Sequence, residues 1–359
     1  MLEEAGIDYL RVGYEASCDP RFADRLIDKV LERQPRLDAI RQQIQEIRVI
    51  VSTTSMLQSR SFLLEMKHFS LCIVDEASQI LEPNIIGLLT SNSIDRFILI
   101  GDHKQLPAVV QQPDDEPSLH ECRLSLFERL LRQEREAGRD AFTAILRRQG
   151  RMHPDIAAFP NEFFYAREHL QPVPLPHQEE AELDYCQPSE DALDDLLKQH
   201  RVLFLPSEEW TPGNSFSEKV NPYEAHLVAD LLRRICRQYG ERFDATKTVG
   251  VIVPYRNQIA MIRREIAKLG IPQLLDISID TVERYQGSQR DVIIYSFTIR
   301  RPYQLDFLTA NCFVEDGHTI DRKLNVAMTR ARKQLLMTGK ADVLQQNSIF
   351  KELIRRYSI

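Results

Sequence analysis

The sequence predicts an α/β fold with two tandem units, each built on a parallel sheet, and three observations lead to this prediction. Apolar runs of strand length recur without polar alternation, as expected for parallel strands that are buried on both faces. Longer stretches with apolar residues at helical spacing separate several of these runs. The length of 359 residues corresponds to roughly two domains at about 150 residues each.

The predicted elements follow the chain in order. The strands of the first half are the apolar runs at 49–54, 71–74 and 97–100, and those of the second half are the runs at 202–205, 249–253, 292–295 and 335–337. Two crossover helices are predicted, at 222–239 and 257–269. The segment at about 172–195 is first proline-rich and then acidic, so we expect a solvated insertion. We place the domain boundary between residues 147 and 148.

Composition and charge exclude several classes of protein. Charged residues make up 28% of the chain, and no apolar run approaches the ~18 residues that a membrane span needs, so we expect no membrane partner. The first residues lack the basic and apolar segments of a secretory signal, which predicts a cytoplasmic protein, or a nuclear one if the source is eukaryotic. The net charge of −7 argues against nucleic-acid binding by bulk charge but not against a local basic groove.

Polar clusters follow two of the predicted strands. Asp75 and Glu76 come directly after the run at 71–74, at the strand end where α/β sheets bind ligands. A phosphate-bound Mg²⁺ needs an oxygen ligand such as Asp75, and a neighbouring carboxylate can orient an attacking water. The alternative is that Asp75 or Ser78 caps the next helix. After the next strand, a glycine turn would let the amide of Gln105 reach a bound phosphate, although an ordinary polar turn is also open.

These two clusters resemble motifs II and III of the superfamily 1B helicases, the branch that includes the nonsense-mediated-decay RNA helicase and the replication helicase-nuclease. Asp-Glu-Ala-Ser-Gln stands at 75–79 and Gly-Asp-His-Lys-Gln-Leu-Pro at 101–107. The later motifs follow in the family's order, namely the arginine motif at 151–154, motif IV at 253–258, motif V at 281–289 and motif VI at 324–332. The resemblance implies two tandem RecA-like domains, the first incomplete at its N-terminus.

The resemblance also implies a site for ATP and Mg²⁺ at the interface of the two domains. Asp75 would hold the metal, Glu76 would be the general base, and Gln105 would sense the γ-phosphate. Arg151 and Arg330 would be arginine fingers, which stabilise the charge on a transferring phosphoryl group. Further nucleotide-binding positions implied by the motifs are Gln286, Gly287 and Arg332. The alternative for Arg330, Arg332 and Lys333 is a basic helix end that interacts with the helix dipole.

Residues for single-stranded or partly duplex nucleic acid are implied in both domains. Hydroxyls, amides and backbone N–H groups can hold phosphates without reading sequence. The implied positions are Thr53, Thr54, Ser55, Pro254, Tyr255, Arg256, Asn257 and Thr281. For Tyr255, a half-buried aromatic side chain at a strand end is an equally good interpretation.

The chain departs from the family pattern at three points. The phosphate-binding Gly-x-x-x-x-Gly-Lys-Ser/Thr loop is missing, so we expect a motor core that lacks its N-terminal part and is inactive by itself. Gly150 stands where the family has tyrosine, and Gln289 stands where it has an acidic residue. The predicted function is ATP-driven movement along single-stranded DNA or RNA. The alternative is a non-catalytic nucleic-acid-binding or interaction module derived from a helicase.

Overall fold

The computed structural model describes residues 2–33, 36–110, 123–207 and 217–358. Contacts divide the chain into two units. The first comprises residues 1–103 and 107–143, and the second comprises 104–106 and 144–359. The domain boundary between residues 147 and 148 stays a prediction. No helix in the described ranges is both long and apolar enough to cross a membrane.

The first unit contains short parallel strands and short helices. Its elements are β1 (Tyr9–Val12), α1 (Ile27–Arg33), α2 (Leu37–Glu46), β2 (Val49–Ser52), α3 (Thr54–Ser59), α4 (Phe62–Met66), β3 (Cys72–Val74), α5 (Ile86–Leu89), β4 (Phe97–Leu99) and α6 (Leu126–Glu136). Strand β1 pairs in parallel with β2, and β3 pairs in parallel with β4. The strands predicted at 49–54, 71–74 and 97–100 are therefore present, although each is shorter than predicted.

One face of β3 and β4 is open to solvent, which the sequence did not predict. Ile73 and Ile98 are opposite each other in the strand pair, and they are 60% and 46% exposed. The opposite face is covered, because Val74 packs with Leu88 and Leu126 in an apolar cluster. The expectation that these strands are buried on both faces is therefore wrong for the first unit. An unalternated apolar run reports only that both faces can be buried, not that both are.

The second unit is built on a larger sheet. Its elements are β5 (Arg148–Gln149), α7 (Pro154–Phe163), β6 (Gln171–Pro172), α8 (Pro176–Glu179), α9 (Ala192–Gln199), β7 (Val202–Pro206), α10 (Pro222–Tyr239), β8 (Val249–Val253), α11 (Arg256–Leu269), β9 (Ser278–Thr281), α12 (Val282–Tyr285), β10 (Arg290–Ser296), α13 (Leu305–Leu308), β11 (Cys312–Glu315), β12 (His318–Asp321), α14 (Arg322–Met328), β13 (Ala331–Gly339), α15 (Ala341–Leu344) and α16 (Ser348–Tyr357).

Five parallel strands form this sheet in the order β7-β13-β10-β8-β9. Successive residues of β10 alternate between two apolar clusters: Val292 and Ile294 belong to one, and Ile293 and Tyr295 belong to the other. Both faces of the sheet are therefore covered, as the unalternated runs of the second half predict. The α/β fold with parallel sheets is confirmed.

The two ends of helix α10 are determined by signals in the local sequence. The Asn221 side chain accepts a hydrogen bond from the Glu224 backbone N–H at 3.2 Å, and Pro222 occupies the first helical position. Gly240 ends the helix with a positive φ of 55°. A cap, a proline and a terminal glycine are the three standard helix-boundary signals, and the predicted range 222–239 is confirmed.

The acidic segment at 172–195 is not simply solvated, which corrects our expectation. Asp194 is 1% exposed, and its Oδ1 atom lies 2.7 Å from Nη1 of Arg234 on α10. Asp191 caps α9 and also pairs with Arg234 at 2.7 Å, which lowers the pKa of Asp191 to about 2. The carboxylates therefore attach this segment to α10 through a shared guanidinium group.

Candidate functional site

Asp75 and Glu76 directly follow β3 in the first unit, and both side chains are exposed. The Asp75 Oδ1 atom accepts a hydrogen bond from the Glu76 backbone N–H at 3.0 Å. Glu76 adopts a left-handed backbone conformation with a φ of 52°, and its Oε2 atom accepts a hydrogen bond from Gln79 Nε2 at 2.6 Å. A non-glycine residue in this conformation is strained, and such strain is concentrated at functional sites.

Neither Asp75 nor Ser78 caps the turn that follows β3, which was the alternative interpretation of these residues. The turn Ala77–Gln79 begins without a side-chain cap, and the Ser78 Oγ atom accepts a hydrogen bond from the Asp102 backbone N–H at 3.2 Å. Ser78 therefore connects the end of β3 to the end of β4. A Cβ atom on Gly101 would lie 2.8 Å from the Ser78 backbone nitrogen, so this close approach of the two motifs requires glycine.

Residues 104–106 belong to the second unit, and there Gln105 meets the end of α14. The Arg330 Nη2 atom donates a hydrogen bond to Gln105 Oε1 at 2.9 Å. Arg330 Nε donates to the Val326 carbonyl oxygen at 3.1 Å, and Arg330 is only 2% exposed. The Nε contact is compatible with the helix-end interpretation of Arg330, which stays a prediction. Its Nη2 atom contacts Gln105, a contact that the sequence analysis did not predict.

Arg151 is positioned next to Arg330 in the chain's second unit. Its Nη1 atom donates to the Thr329 carbonyl oxygen at 3.2 Å, and its Nε atom donates to Gln289 Oε1 at 3.0 Å. The Arg151 backbone N–H donates to Gln149 Oε1 at 3.0 Å. Three predicted nucleotide residues from three separate motifs, Gln105, Arg151 and Arg330, therefore cluster at one place. Gln289, which departs from the family pattern, supplies the neutral oxygen that orients Arg151.

The other predicted nucleotide residues are less closely associated with this cluster. Arg332 pairs with Asp291 at 2.8 Å, and Lys333 pairs with Glu180 at 3.1 Å, so both side chains have local carboxylate partners. Gln286 and Gly287 follow α12, and Gly287 has a φ of 81°. The Gln286 Nε2 atom is buried and has no hydrogen-bond partner among the described residues.

Sequence reasoning missed the ion cluster that holds Gln105 in place. Lys104 is 3% exposed, and its Nζ atom lies 2.8 Å from Glu168 Oε1 and 2.9 Å from Glu315 Oε2. It also donates to the Phe164 carbonyl oxygen at 2.9 Å. A lysine inside motif III was the only signal available, because nothing local identifies carboxylates 64 residues or more away as its partners.

The predicted nucleic-acid residues of the second unit meet at the carboxyl edge of its sheet. Val253 and Thr281, the last residues of β8 and β9, are in register, so Thr281 lies beside the segment that follows β8. In that segment Pro254 and Tyr255 are buried, whereas Arg256 and Asn257, which open α11, are exposed. In the first unit, Thr53 caps α3 by accepting a hydrogen bond from the Met56 N–H at 3.2 Å, and Thr54 and Ser55 lie in the first turn of α3.

The surroundings of Tyr255 favour the packing interpretation that the sequence offers. It is 8% exposed, and its ring stacks on Phe307 with centroids 4.9 Å apart and planes at 25°. Tyr255 is therefore mainly a packing residue, and Phe307, which is 42% exposed, presents the accessible aromatic surface at this edge. The nucleic-acid role of Tyr255 stays a prediction.

A buried carboxyl group lies beneath the same edge. Glu224 is fully buried, and burial raises its pKa from 4.5 to about 7. Hydrogen bonds from Ser296 Oγ at 2.6 Å and from the Thr298 N–H at 2.8 Å oppose this effect. Nothing in the sequence indicates the burial, since Glu224 occupies the first turn of α10, where carboxylates are usually exposed.

The residues present fit part of a magnesium–nucleotide site. Asp75 is an exposed carboxylate at a strand end, and Mg²⁺ is commonly bound through one or two carboxylates and the phosphates of its nucleotide. No group of three or more histidine, cysteine, aspartate or glutamate side chains within the described ranges could hold a metal by itself. The sequence contains no Gly-x-x-x-x-Gly-Lys-Ser/Thr segment, the loop whose backbone N–H groups would surround the phosphates.

Comparison with known families agrees with the resemblance to helicases. Two family profiles, each described as an AAA domain, match residues 23–113 and 122–342. The second alone covers more than half of the chain, and two of the curated relatives are named as ATP-dependent helicases. The chain belongs to the superfamily 1 helicases. The parallel α/β sheets of both units are consistent with the tandem RecA-like fold that the sequence predicts.

The chain covers only part of the length of each relative. An uncharacterized ATP-dependent helicase of Methanocaldococcus jannaschii is 30% identical over 322 residues, which are 86% of this helicase chain and 41% of the relative. A DNA replication ATP-dependent helicase/nuclease of Xenopus laevis is 30% identical over 374 residues, covering 98% of this chain and 32% of the relative. The chain thus spans about a third to two fifths of these relatives.

The solved helicase structures resemble this chain more weakly. The crystal structure of an arterivirus helicase, nonstructural protein 10, is 14% identical, covers 98% of this chain and 51% of its own, and has a TM-score of 0.42.

Proposed function

We propose that this chain is part of an ATP-driven motor that moves along single-stranded nucleic acid. The observation that carries the proposal is the cluster of Gln105, Arg151 and Arg330 in the second unit, with Arg330 Nη2 2.9 Å from Gln105 Oε1. An amide that senses a phosphate and two guanidinium groups that neutralise its charge are the parts that phosphoryl transfer requires. A non-catalytic module is not favoured, because the relatives are named ATP-dependent helicases.

In this proposal each side chain has one task. Bound Mg²⁺–ATP supplies the phosphoryl group whose transfer to water releases the energy for movement. Asp75 would hold the metal through a carboxylate oxygen, and Glu76 would accept the proton of the attacking water. Arg151 and Arg330 stabilise the negative charge that develops on phosphate oxygens, and Gln105 links that site to Arg330. In the same proposal, Gln286, Gly287 and Arg332 supply further contacts to the nucleotide.

The phosphate cradle is proposed to come from a segment of the same motor outside these 359 residues. Asp75 and Glu76 alone present negative charge to a negative ligand, whereas a phosphate loop supplies backbone N–H groups and a lysine. The chain spans less than half of its relatives, which leaves ample room for such a segment. By itself the 359-residue chain should bind ATP poorly and hydrolyse it no faster than background.

Nucleic acid is proposed to bind at the carboxyl edge of the second unit's sheet. The exposed Arg256 guanidinium has no carboxylate partner within the described part of the chain. Asn257 follows it, and Thr281 ends the neighbouring strand β9, in register with Val253. These groups can hold phosphates of either DNA or RNA, with Pro254 and Tyr255 shaping the edge and Thr53, Thr54 and Ser55 acting in the first unit. Affinity should therefore be independent of sequence and should fall with salt.

The test is the salt dependence of binding, measured by fluorescence anisotropy with labelled single strands. Removal of one phosphate contact should reduce the slope of log affinity against log salt by about 0.7. We expect this reduction for Arg256→Ala but not for Arg264→Ala, because Arg264 is an exposed arginine further along the same helix, α11. Strong preference for one sequence, or an equal slope for Arg256→Ala and the wild type, would contradict the proposed site.

A further inference from the structure

The segment 175–180, which lies outside the helicase motifs, packs against the arginine motif in the second unit. It contains α8 (Pro176–Glu179), and its residues His177 and Gln178 are only 7% and 4% exposed. Buried polar side chains are almost always hydrogen-bonded. The partners of these two are carbonyl oxygens in and next to the arginine motif.

His177 binds the main chain of Arg151. Its Nε2 atom lies 2.9 Å from the Arg151 carbonyl oxygen, and because a carbonyl can only accept, this ring nitrogen carries the proton. The other ring nitrogen, Nδ1, faces the Arg332 guanidinium, whose Nη2 atom lies 3.5 Å away. A guanidinium can only donate, so both neighbours favour the same neutral tautomer. The imidazole therefore has one donor, and that donor binds Arg151.

Gln178 binds the main chain on both sides of Arg151. Its Nε2 atom donates to the carbonyl oxygens of Gln149 at 2.9 Å and Met152 at 2.8 Å. The Gln149 Oε1 atom in turn accepts from the backbone N–H groups of Arg151 at 3.0 Å and Met152 at 2.8 Å. Both polar main-chain groups of Arg151 thus have side-chain partners, the N–H group in Gln149 and the carbonyl oxygen in His177.

The close approach of this segment matches the glycine at position 150. A Cβ atom on Gly150 would lie 3.1 Å from Cδ1 of Leu175, the residue that precedes α8. Carbon atoms pack best at ~3.5–4.0 Å, so a larger side chain at position 150 would displace the segment. Leu175 therefore lies where the tyrosine of the family pattern would begin.

We propose that His177 is a positioning residue for the arginine finger Arg151. The Arg151 side chain donates to the Thr329 carbonyl oxygen and to Gln289, which orients the guanidinium but not the backbone from which it extends. The hydrogen bond from His177 fixes that backbone, and a misplacement of about 1 Å can cost about 10²-fold in rate. This inference rests on the proposed function, since it names what holds Arg151 in the nucleotide site. His177 itself acts only through Arg151.

The experiment measures ATP affinity and strand-stimulated ATP turnover in the longer motor that contains a phosphate-binding loop. The amide nitrogen of glutamine reaches the position of the histidine Nε2 atom, whereas the shorter asparagine reaches only that of Nδ1. His177→Gln should therefore retain most of the turnover. His177→Asn should lower it by about 10-fold to 10²-fold and leave ATP affinity within a few fold. His226→Ala is the control, since His226 is 70% exposed on α10.

A double variant separates positioning from a general loss of structure. Arg151→Ala should lower turnover by ~10³-fold or more. Adding His177→Asn to Arg151→Ala should then change turnover by no more than about twofold, because residues that act as one unit are not additive. A loss of folded protein would instead multiply the two effects. Urea unfolding shows whether each variant folds, and His177→Ala, which also lacks the donor, replaces His177→Asn if that variant does not fold.

The outcomes separate this inference from the proposed function. Full turnover in His177→Asn, or equal losses in His177→Asn and His177→Gln, would overturn the role of His177 and leave that of Arg151 intact. An effect of His177→Asn that persists in full beside Arg151→Ala would also overturn it. Unchanged turnover in Arg151→Ala would contradict the proposed nucleotide site, and the inference would fail with it.

Discussion

Glu224→Gln should abolish a specific pH dependence of the helicase's stability. The Glu224 carboxyl group is fully buried, which raises its pKa from 4.5 to about 7. Between those values the folded protein retains a proton that the unfolded chain releases, so the free energy of unfolding falls as pH rises. The contribution of Glu224 is complete below pH 4.5 and is lost above pH about 7. Its size is about 3 kcal/mol, at 1.36 kcal/mol per pKa unit.

Glutamine is the appropriate replacement because it imitates the protonated acid. Its amide oxygen can accept the hydrogen bonds from Ser296 Oγ and the Thr298 N–H, which reach Oε2 of Glu224 at 2.6 and 2.8 Å. The amide nitrogen then replaces Oε1, which accepts from Asn221 Nδ2 at 2.8 Å. Some stability is therefore lost at every pH, but the part that varies with pH disappears.

The assay is urea unfolding of the wild type and of Glu224→Gln across the range from pH about 4.5 to about 7. Other groups that titrate in this range, such as Asp321, with a pKa raised to about 6 by burial, are present in both proteins and cancel in the difference. The stability of the variant relative to the wild type should increase with pH. A difference that does not vary with pH would refute the reasoning, because it would mean that Glu224 is charged in the folded protein throughout.

Two further substitutions test the contacts that shape the site. Gly101→Ala should destabilise the first unit by ~1–3 kcal/mol, because its Cβ atom would lie 2.8 Å from the Ser78 backbone nitrogen. Gly13→Ala, whose Cβ would lie 3.9 Å from its nearest neighbour, is the control, and equal urea midpoints for the two variants would contradict the close approach. Lys104→Met should destabilise the second unit by ~3–5 kcal/mol, since it removes the ammonium group that lies 2.8 Å from Glu168 and 2.9 Å from Glu315. Combining it with Glu168→Gln and Glu315→Gln should restore part of this loss, and a triple variant less stable than Lys104→Met would contradict the ion cluster.

Local signals in the sequence predicted the elements of the second unit well. The range of α10 follows from Asn221, Pro222 and Gly240, and β8 coincides with its apolar run at 249–253. These features depend on neighbours within a few residues, so a single sequence contains them. The exposed face of β3 and β4 could not be predicted in this way, because burial of a strand face depends on distant parts of the chain.

Only those residues of the candidate site that lie within the family motifs could be predicted from the sequence. The motifs implied roles for Gln105 and Arg330, but their contact joins residues 225 positions apart. The ion cluster of Lys104 and the burial of Glu224 have no local signature, because each depends on side chains from several elements. Phe307 is likewise an ordinary aromatic residue in the sequence, and only the structure shows that it is 42% exposed and stacked on Tyr255.

The most direct test of the account is ATP turnover stimulated by a single strand in the longer motor that contains a phosphate-binding loop. Arg330→Ala should lower turnover by about 10³-fold or more, the range for arginine fingers, and should leave ATP affinity within a few fold. Arg332→Ala is the matched control and should matter less, because Arg332 pairs with Asp291 at 2.8 Å. Unchanged turnover in Arg330→Ala, with Glu76→Gln confirming that the activity belongs to this protein, would contradict the central claim that Gln105, Arg151 and Arg330 form the nucleotide site.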